Sequence, residues 1–108
     1  VRVMEESMSE FVRVAGTADV KPGGGMVAEI NGKTLAVFNV DGTYQVIDNT
    51  CVHRGGPLGE GDVEGDVVTC PWHGWQYNIK TGACVNNPAA RVATYEVKVE
   101  GDDIRARL

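Results

Sequence analysis

Two short stretches, Cys51-Val52-His53 and Cys70-Pro71-Trp72-His73-Gly74-Trp75, constrain this chain more than any other feature. Each sets a cysteine close before a histidine, as C-x-H in the first and C-x-x-H in the second. The only two histidines of the chain, and two of its three cysteines, fall here. Thiolate and imidazole are good ligands for zinc, copper and iron, so two such pairs make a four-ligand set. One residue between Cys51 and His53, and two between Cys70 and His73, let each tight loop present both ligand types together. The sixteen residues from His53 to Cys70 allow the first loop to run out and a strand to return beside it. Any fold must therefore bring two loops to one point.

The rest of the chain reads as strands and turns. Phe11-Val12-Arg13-Val14 is a first strand ended by Gly16, and Pro22-Gly23-Gly24-Gly25 breaks the chain after it. Strand candidates follow at 26–30, 34–40 and 44–48, separated by Asn31-Gly32 and Asp41-Gly42. Both dipeptides supply the positive φ that primed hairpin turns require. Near the end, Tyr95, Val97 and Val99 alternate with charged residues. A Gly101-Asp102 turn follows, and then Ile104, Ala106 and Leu108 alternate with Arg105 and Arg107. Period-two alternation on both sides of a turn marks a half-buried antiparallel pair. No long helical stripe, repeat or linker is present, which predicts one all-β domain, a small antiparallel sandwich or barrel.

Residues 49–82 break this rhythm. They hold seven of the fourteen glycines, with one short strand candidate at 66–69. Gly55, Gly56 and Gly74 flank the ligand stretches. Glycine there permits close backbone approach, so that amide N–H groups can point at sulfur. Residues 1–9 are polar, without strong periodicity, and read as a weakly docked lead-in.

A length of 108 residues bounds the chain to one modest core. The formal net charge of -5 argues against nucleic-acid binding, which needs a basic patch. Acidic charge instead suits steering towards a basic partner surface. No stretch reaches the ~18 apolar residues of a membrane span, and the start lacks the apolar run of a signal peptide. Three cysteines make no even disulfide framework, so a reducing compartment, by default the cytoplasm, is expected.

The pattern C-x-H-x16-C-x-x-H, with Gly55-Gly56-Pro57-Leu58 after the first pair and Gly74-Trp75 after the second, resembles the Rieske ferredoxins. In that family two cysteines bind one iron of a [2Fe–2S] cluster and two histidines bind the other. The resemblance implies one cluster per chain, held by Cys51, His53, Cys70 and His73. It implies a base at residues 10–49 and 83–108, with an inserted cluster-binding subdomain at 50–82. Tyr77 matches a family tyrosine whose hydroxyl reaches a ligand cysteine. Trp75 stands where respiratory members have a serine donor, and Gly56 and Trp72 where they have a disulfide. Pro88, in Asn87-Pro88-Ala89, matches a proline loop over the cluster. Gly55, Gly56, Pro57, Trp72 and Gly74 are expected on an apolar rim for docking.

The implied function is that of a soluble one-electron carrier. It would take electrons from a flavin- or NAD(P)H-dependent reductase and pass them, by transient docking, to a terminal ring-hydroxylating oxygenase. Both histidines are committed to the cluster, so no oxygen-activating iron site can be built from the remainder, and the chain is not itself an oxygenase. Two alternatives stand beside this reading. One is a small Rieske-like subunit of a nitrite reductase. The other is a zinc-stabilised interaction module, although zinc modules usually keep like ligands together. Cys84 reads as a small buried apolar residue. The acidic run Glu60, Asp62, Glu64, Asp66 reads as a solvated face.

Overall fold

Among the described residues, six strands make an antiparallel sheet that nearly closes on itself, and three shorter ones make a second sheet against it. The computed structural model describes residues 11–51, 56–72, 74–87 and 89–107. The proposed lead-in at 1–9 lies outside these residues. The strands are β1 (Phe11–Gly16), β2 (Gly25–Ile30), β3 (Lys33–Val40), β4 (Thr43–Asp48), β5 (Asp62–Glu64), β6 (Val67–Thr69), β7 (Gln76–Asn78), β8 (Thr94–Glu100) and β9 (Asp103–Arg107). Among the described residues the helical elements are two single 3-10 turns, Thr17–Asp19 and Leu58–Glu60. The large sheet runs β1-β9-β8-β4-β3-β2, with its ends β1 and β2 in contact, and the small one runs β5-β6-β7. Every pairing among the described residues is antiparallel.

The hairpins form where the sequence places them. Asn31 and Gly32 both take positive φ, 51° and 81°, as do Asp41 and Gly42 at 52° and 89°. The registers Ile30↔Lys33 and Val40↔Thr43 make both connections two-residue turns. Positive φ at both positions is the primed geometry that follows the natural twist of paired strands.

β3 divides the core in two. Leu35 and Val37 face Val14, Val20, Ala28, Val46, Ile104 and Ala106, inside the nearly closed sheet. Ala36, Phe38 and Val40 face the other way, onto Ile47, Leu58, Val68, Tyr77, Ile79, Val92 and all three cysteines. A strand covered on both faces needs apolar residues at both phases of its alternation, which accounts for the run from Leu35 to Val40. Each large side chain so buried contributes about 1.5–3 kcal/mol. Asn39 interrupts the run but is satisfied: its Nδ2 donates to the Val20 carbonyl at 3.0 Å, and its Oδ1 accepts the Gly42 N–H at 2.8 Å. The second half of this core carries the small sheet and the cysteines. Among the described residues no helix is long and apolar enough to cross a membrane.

Candidate metal centre

The two cysteine loops are built alike. The Cys51 N–H donates to the Gly56 carbonyl at 2.9 Å, and the Cys70 N–H donates to the Trp75 carbonyl at 2.7 Å. Each cysteine thus closes its own loop on the residue five positions later. Beneath these bonds the chain is paired again, Thr50 with Pro57 and Thr69 with Gln76. The first loop rises from the end of β4, and the second joins β6 to β7.

Cys51 and Cys70 are both buried, and their thiols are neighbours. Burial pushes the Cys70 thiol up from its ordinary pKa; the Trp72 backbone N–H aimed at the sulfur opposes this, and the adjacent Cys51 adds to it. A reactive nucleophile needs the reverse, a depressed pKa. Across the core the Tyr77 hydroxyl lies 3.3 Å from Cys51 Sγ. Each sulfur is therefore supplied with a hydrogen-bonding group. Buried, adjacent thiols with such groups suit sulfur ligands to a metal, because donors offset thiolate charge and a metal ion holds the thiolate deprotonated. On this chemistry the donor set fits a [2Fe–2S] group.

Gly56 interlocks the loops. A Cβ there would stand 2.6 Å from Cys70 Sγ, 3.0 Å from Trp72 Cγ and 3.1 Å from Trp72 Cβ. The last residue of the first loop therefore lies directly on the sulfur of the second. Gly56 was expected on an exposed rim, but it is buried beneath Trp72. Its place against Trp72 also means that these two positions, where the resemblance sets a disulfide in respiratory proteins, do meet in space. Gly74 has another role: it is exposed, meets none of the described residues at its Cβ position, and takes φ +74°. Its need is conformational, not one of close protein approach.

A third segment is tied to the base of the second loop. The Val85 N–H donates to the Gln76 carbonyl at 2.7 Å, and the Gln76 N–H donates to Asn86 Oδ1 at 2.7 Å. The Cys84 N–H donates to the Ala90 carbonyl at 3.0 Å, and the Ala90 N–H to the Asn87 carbonyl at 2.9 Å. Trp75 is partly buried against the cysteine-bearing core, and Cys84 is buried within it. Trp72 and Val85 are 50% and 56% exposed. Glu60, Asp62 and Glu64 are exposed as expected, while Asp66 is partly covered, 4.0 Å from Lys80. His53, His73, Gly55 and Pro88 lie outside the described residues.

Sequence reasoning missed two asparagines. Asn86 caps Gln76 as above, and Asn49 binds the limb that returns from the first loop, its Oδ1 accepting the Gly59 N–H at 2.7 Å. Asn86 stands two residues before Pro88, where asparagine reads as a turn former, whereas Asn49 sits between Asp48 and Thr50 with no breaker beside it.

Comparison with known proteins agrees with this geometry. Residues 10–96 match the family described as the Rieske [2Fe-2S] domain. The ferredoxin component of biphenyl 2,3-dioxygenase from Rhodococcus jostii is 33% identical over 99 residues, which cover 91% of this chain and 92% of that protein. The structure of a Sphingomonas yanoikuyae B1 ferredoxin matches with a TM-score of 0.84 at 33% identity, over 91% of this chain and 98% of that one. A chain in the complex of reduced oxygenase and oxidised ferredoxin in carbazole 1,9a-dioxygenase matches at 0.82 and 29%, over 90% and 92%.

Proposed function

The chain belongs to the Rieske [2Fe–2S] domain family, and from that membership we propose that it carries single electrons from a reductase to a terminal ring-hydroxylating oxygenase. It is an electron-transfer component and not the enzyme that transforms the substrate. Cys51 and Cys70 hold one iron of the cluster in this reading, and His53 and His73 hold the other. When bound, such a cluster accepts and releases one electron at a time. The segment 50–82 acts as the cluster-binding subdomain on a base formed by 10–49 and 83–108. The working compartment is the cytoplasm.

The chain's own residues have definable tasks. With the cysteines bound as thiolates, the Tyr77 hydroxyl and the Trp72 N–H would donate towards the two sulfurs and stabilise negative charge there. Gly56 leaves room beside Cys70 Sγ that any side chain would fill. Phe38, Leu58 and Ile79, all fully buried, keep water from the inner side. Trp72 and Val85 offer apolar surface for a small, transient contact of the kind that suits electron transfer. The net charge of -5 favours approach to a basic partner face.

The observation that carries this reading is the buried Cys51–Cys70 pair with the Tyr77 hydroxyl on one of its sulfurs. Rapid mixing tests it, with the reductase and oxygenase of a biphenyl dioxygenase system as partners. The visible absorption should bleach when NADH and reductase are added, and return when oxidised oxygenase follows. A chain that reductase and NADH leave unreduced would contradict the proposed role.

A further inference from the structure

Three hydrogen bonds converge on Asn49, at the foot of the first cysteine loop. Its N–H donates to the Thr34 carbonyl at 3.1 Å, and its carbonyl accepts the Leu58 N–H at 2.7 Å. Its Oδ1 accepts the Gly59 N–H, also at 2.7 Å. The residue is only 6% exposed. Above it stand the Thr50–Pro57 bridge and the Cys51–Gly56 bond, so Asn49 is the lowest rung of a ladder capped by the loop.

The returning limb of that ladder has little freedom on its other side. A Cβ at Gly59 would lie 2.7 Å from the Met26 carbonyl oxygen and 2.8 Å from Val27 Cγ2. Gly59 is thus pressed between β2 and the Asn49 amide. The upper end of the same limb is Gly56, which rests on Cys70 Sγ. A shift of the limb at Gly59 is transmitted over three residues to the contact between the loops.

We propose that Asn49 is a positioning residue for the cluster. Its side-chain amide fixes the returning limb so that Gly56 stays against the Cys70 sulfur, and so sets the cluster's reduction potential and retention without touching it. The inference rests on the reading of the site as a [2Fe–2S] centre. Asn39 supplies a matched control within the same fold. It is equally buried, at 3% exposed, and its side chain makes two hydrogen bonds, to Val20 and Gly42. Those bonds hold a hairpin turn and the segment after β1, not a cysteine loop.

The test uses the cluster-loaded full chain and the variants Asn49→Leu, Asn49→Asp and Asn39→Leu. The readouts are iron release to a chelator, reduction potential by protein-film voltammetry, and Tm. Asn49→Leu leaves the Gly59 N–H unpaired and should release iron roughly tenfold faster, with a shifted potential. Asn49→Asp keeps an acceptor oxygen and should restore slow release. Asn39→Leu should lower Tm while leaving potential and release unchanged. If Asn49→Leu does not fold, Asn49→Ser, whose hydroxyl is too short to reach Gly59, carries the same expectation. Wild-type potential and release in the folded Asn49 variant would overturn the inference, as would equal effects from Asn39→Leu. A wild-type chain without iron and sulfide would instead contradict the cluster reading itself.

Discussion

The Tyr77 hydroxyl lies 3.3 Å from Cys51 Sγ, with both side chains buried in the core between the two sheets. A cysteine that ligates a metal is a thiolate, so in the loaded protein the hydroxyl must be the donor. Donors to cluster sulfur favour the more negative, reduced state. Tyr77→Phe should therefore lower the reduction potential. A differential of about 1 kcal/mol corresponds to roughly 40 mV for a one-electron couple. Voltammetry measures this directly, and an unchanged potential would mean that the hydroxyl does not act on a ligand sulfur.

Gly56 and Gly74 lie in equivalent loops but should respond differently to a methyl group. At Gly56 the added Cβ meets Cys70 Sγ at 2.6 Å, so Gly56→Ala must displace the ligand sulfur or the loop. Purified Gly56→Ala should carry clearly less iron than wild type. Gly74→Ala meets no atom of the described residues within 4 Å but must hold φ +74°, at a cost of about 1–2 kcal/mol. Its Tm should fall while its iron content stays close to wild type. The two iron analyses, side by side, check the interlock of the loops.

Cys84 shares the buried core with Cys51 and Cys70 but lies outside both loops. Cys84→Ser should keep the iron content and visible spectrum, at a cost of about 1–3 kcal/mol for a buried hydroxyl. Cys51→Ser and Cys70→Ser should lose the cluster. Iron loss in the Cys84 variant would show that the sulfur ligands are wrongly assigned.

The strands that carry long alternation were legible in the sequence, and so were the two cysteine loops, whose sulfurs the fold brings together. Asn31-Gly32 and Asp41-Gly42 identify their hairpins because the turn chemistry is local. β5 and β7 were not legible: three residues such as Gln76-Tyr77-Asn78 are too few to display a period. They are strands because β6 lies between them and because Tyr77 is buried beneath the loops. Gly56 could be named as important but not placed, since its contact is with a sulfur from the other loop. The part played by Asn49 was not legible for the same reason, its partner Gly59 being fixed by tertiary packing against β2.

Tyr95 donates to Asp48 Oδ1 at 2.7 Å, next to the foot of the first loop. Burial, then the hydrogen bond to Asp48 and its charge, push the phenol up to about 12. The unfolded value is about 10, so between these values the folded chain holds a proton that the unfolded chain has lost. The resulting stability is fully present below about pH 10 and declines as the pH rises towards about 12. Tyr95→Phe should be less stable at neutral pH but show a shallower decline across that window. Denaturant titrations at stepped alkaline pH check it, and equal slopes in both proteins would contradict the assignment.

The most direct test of the central claim is the iron and acid-labile sulfide content of the purified chain, taken with its zinc content. A Rieske centre on Cys51, His53, Cys70 and His73 requires two irons and two sulfides per chain. One zinc per chain with no sulfide would contradict it.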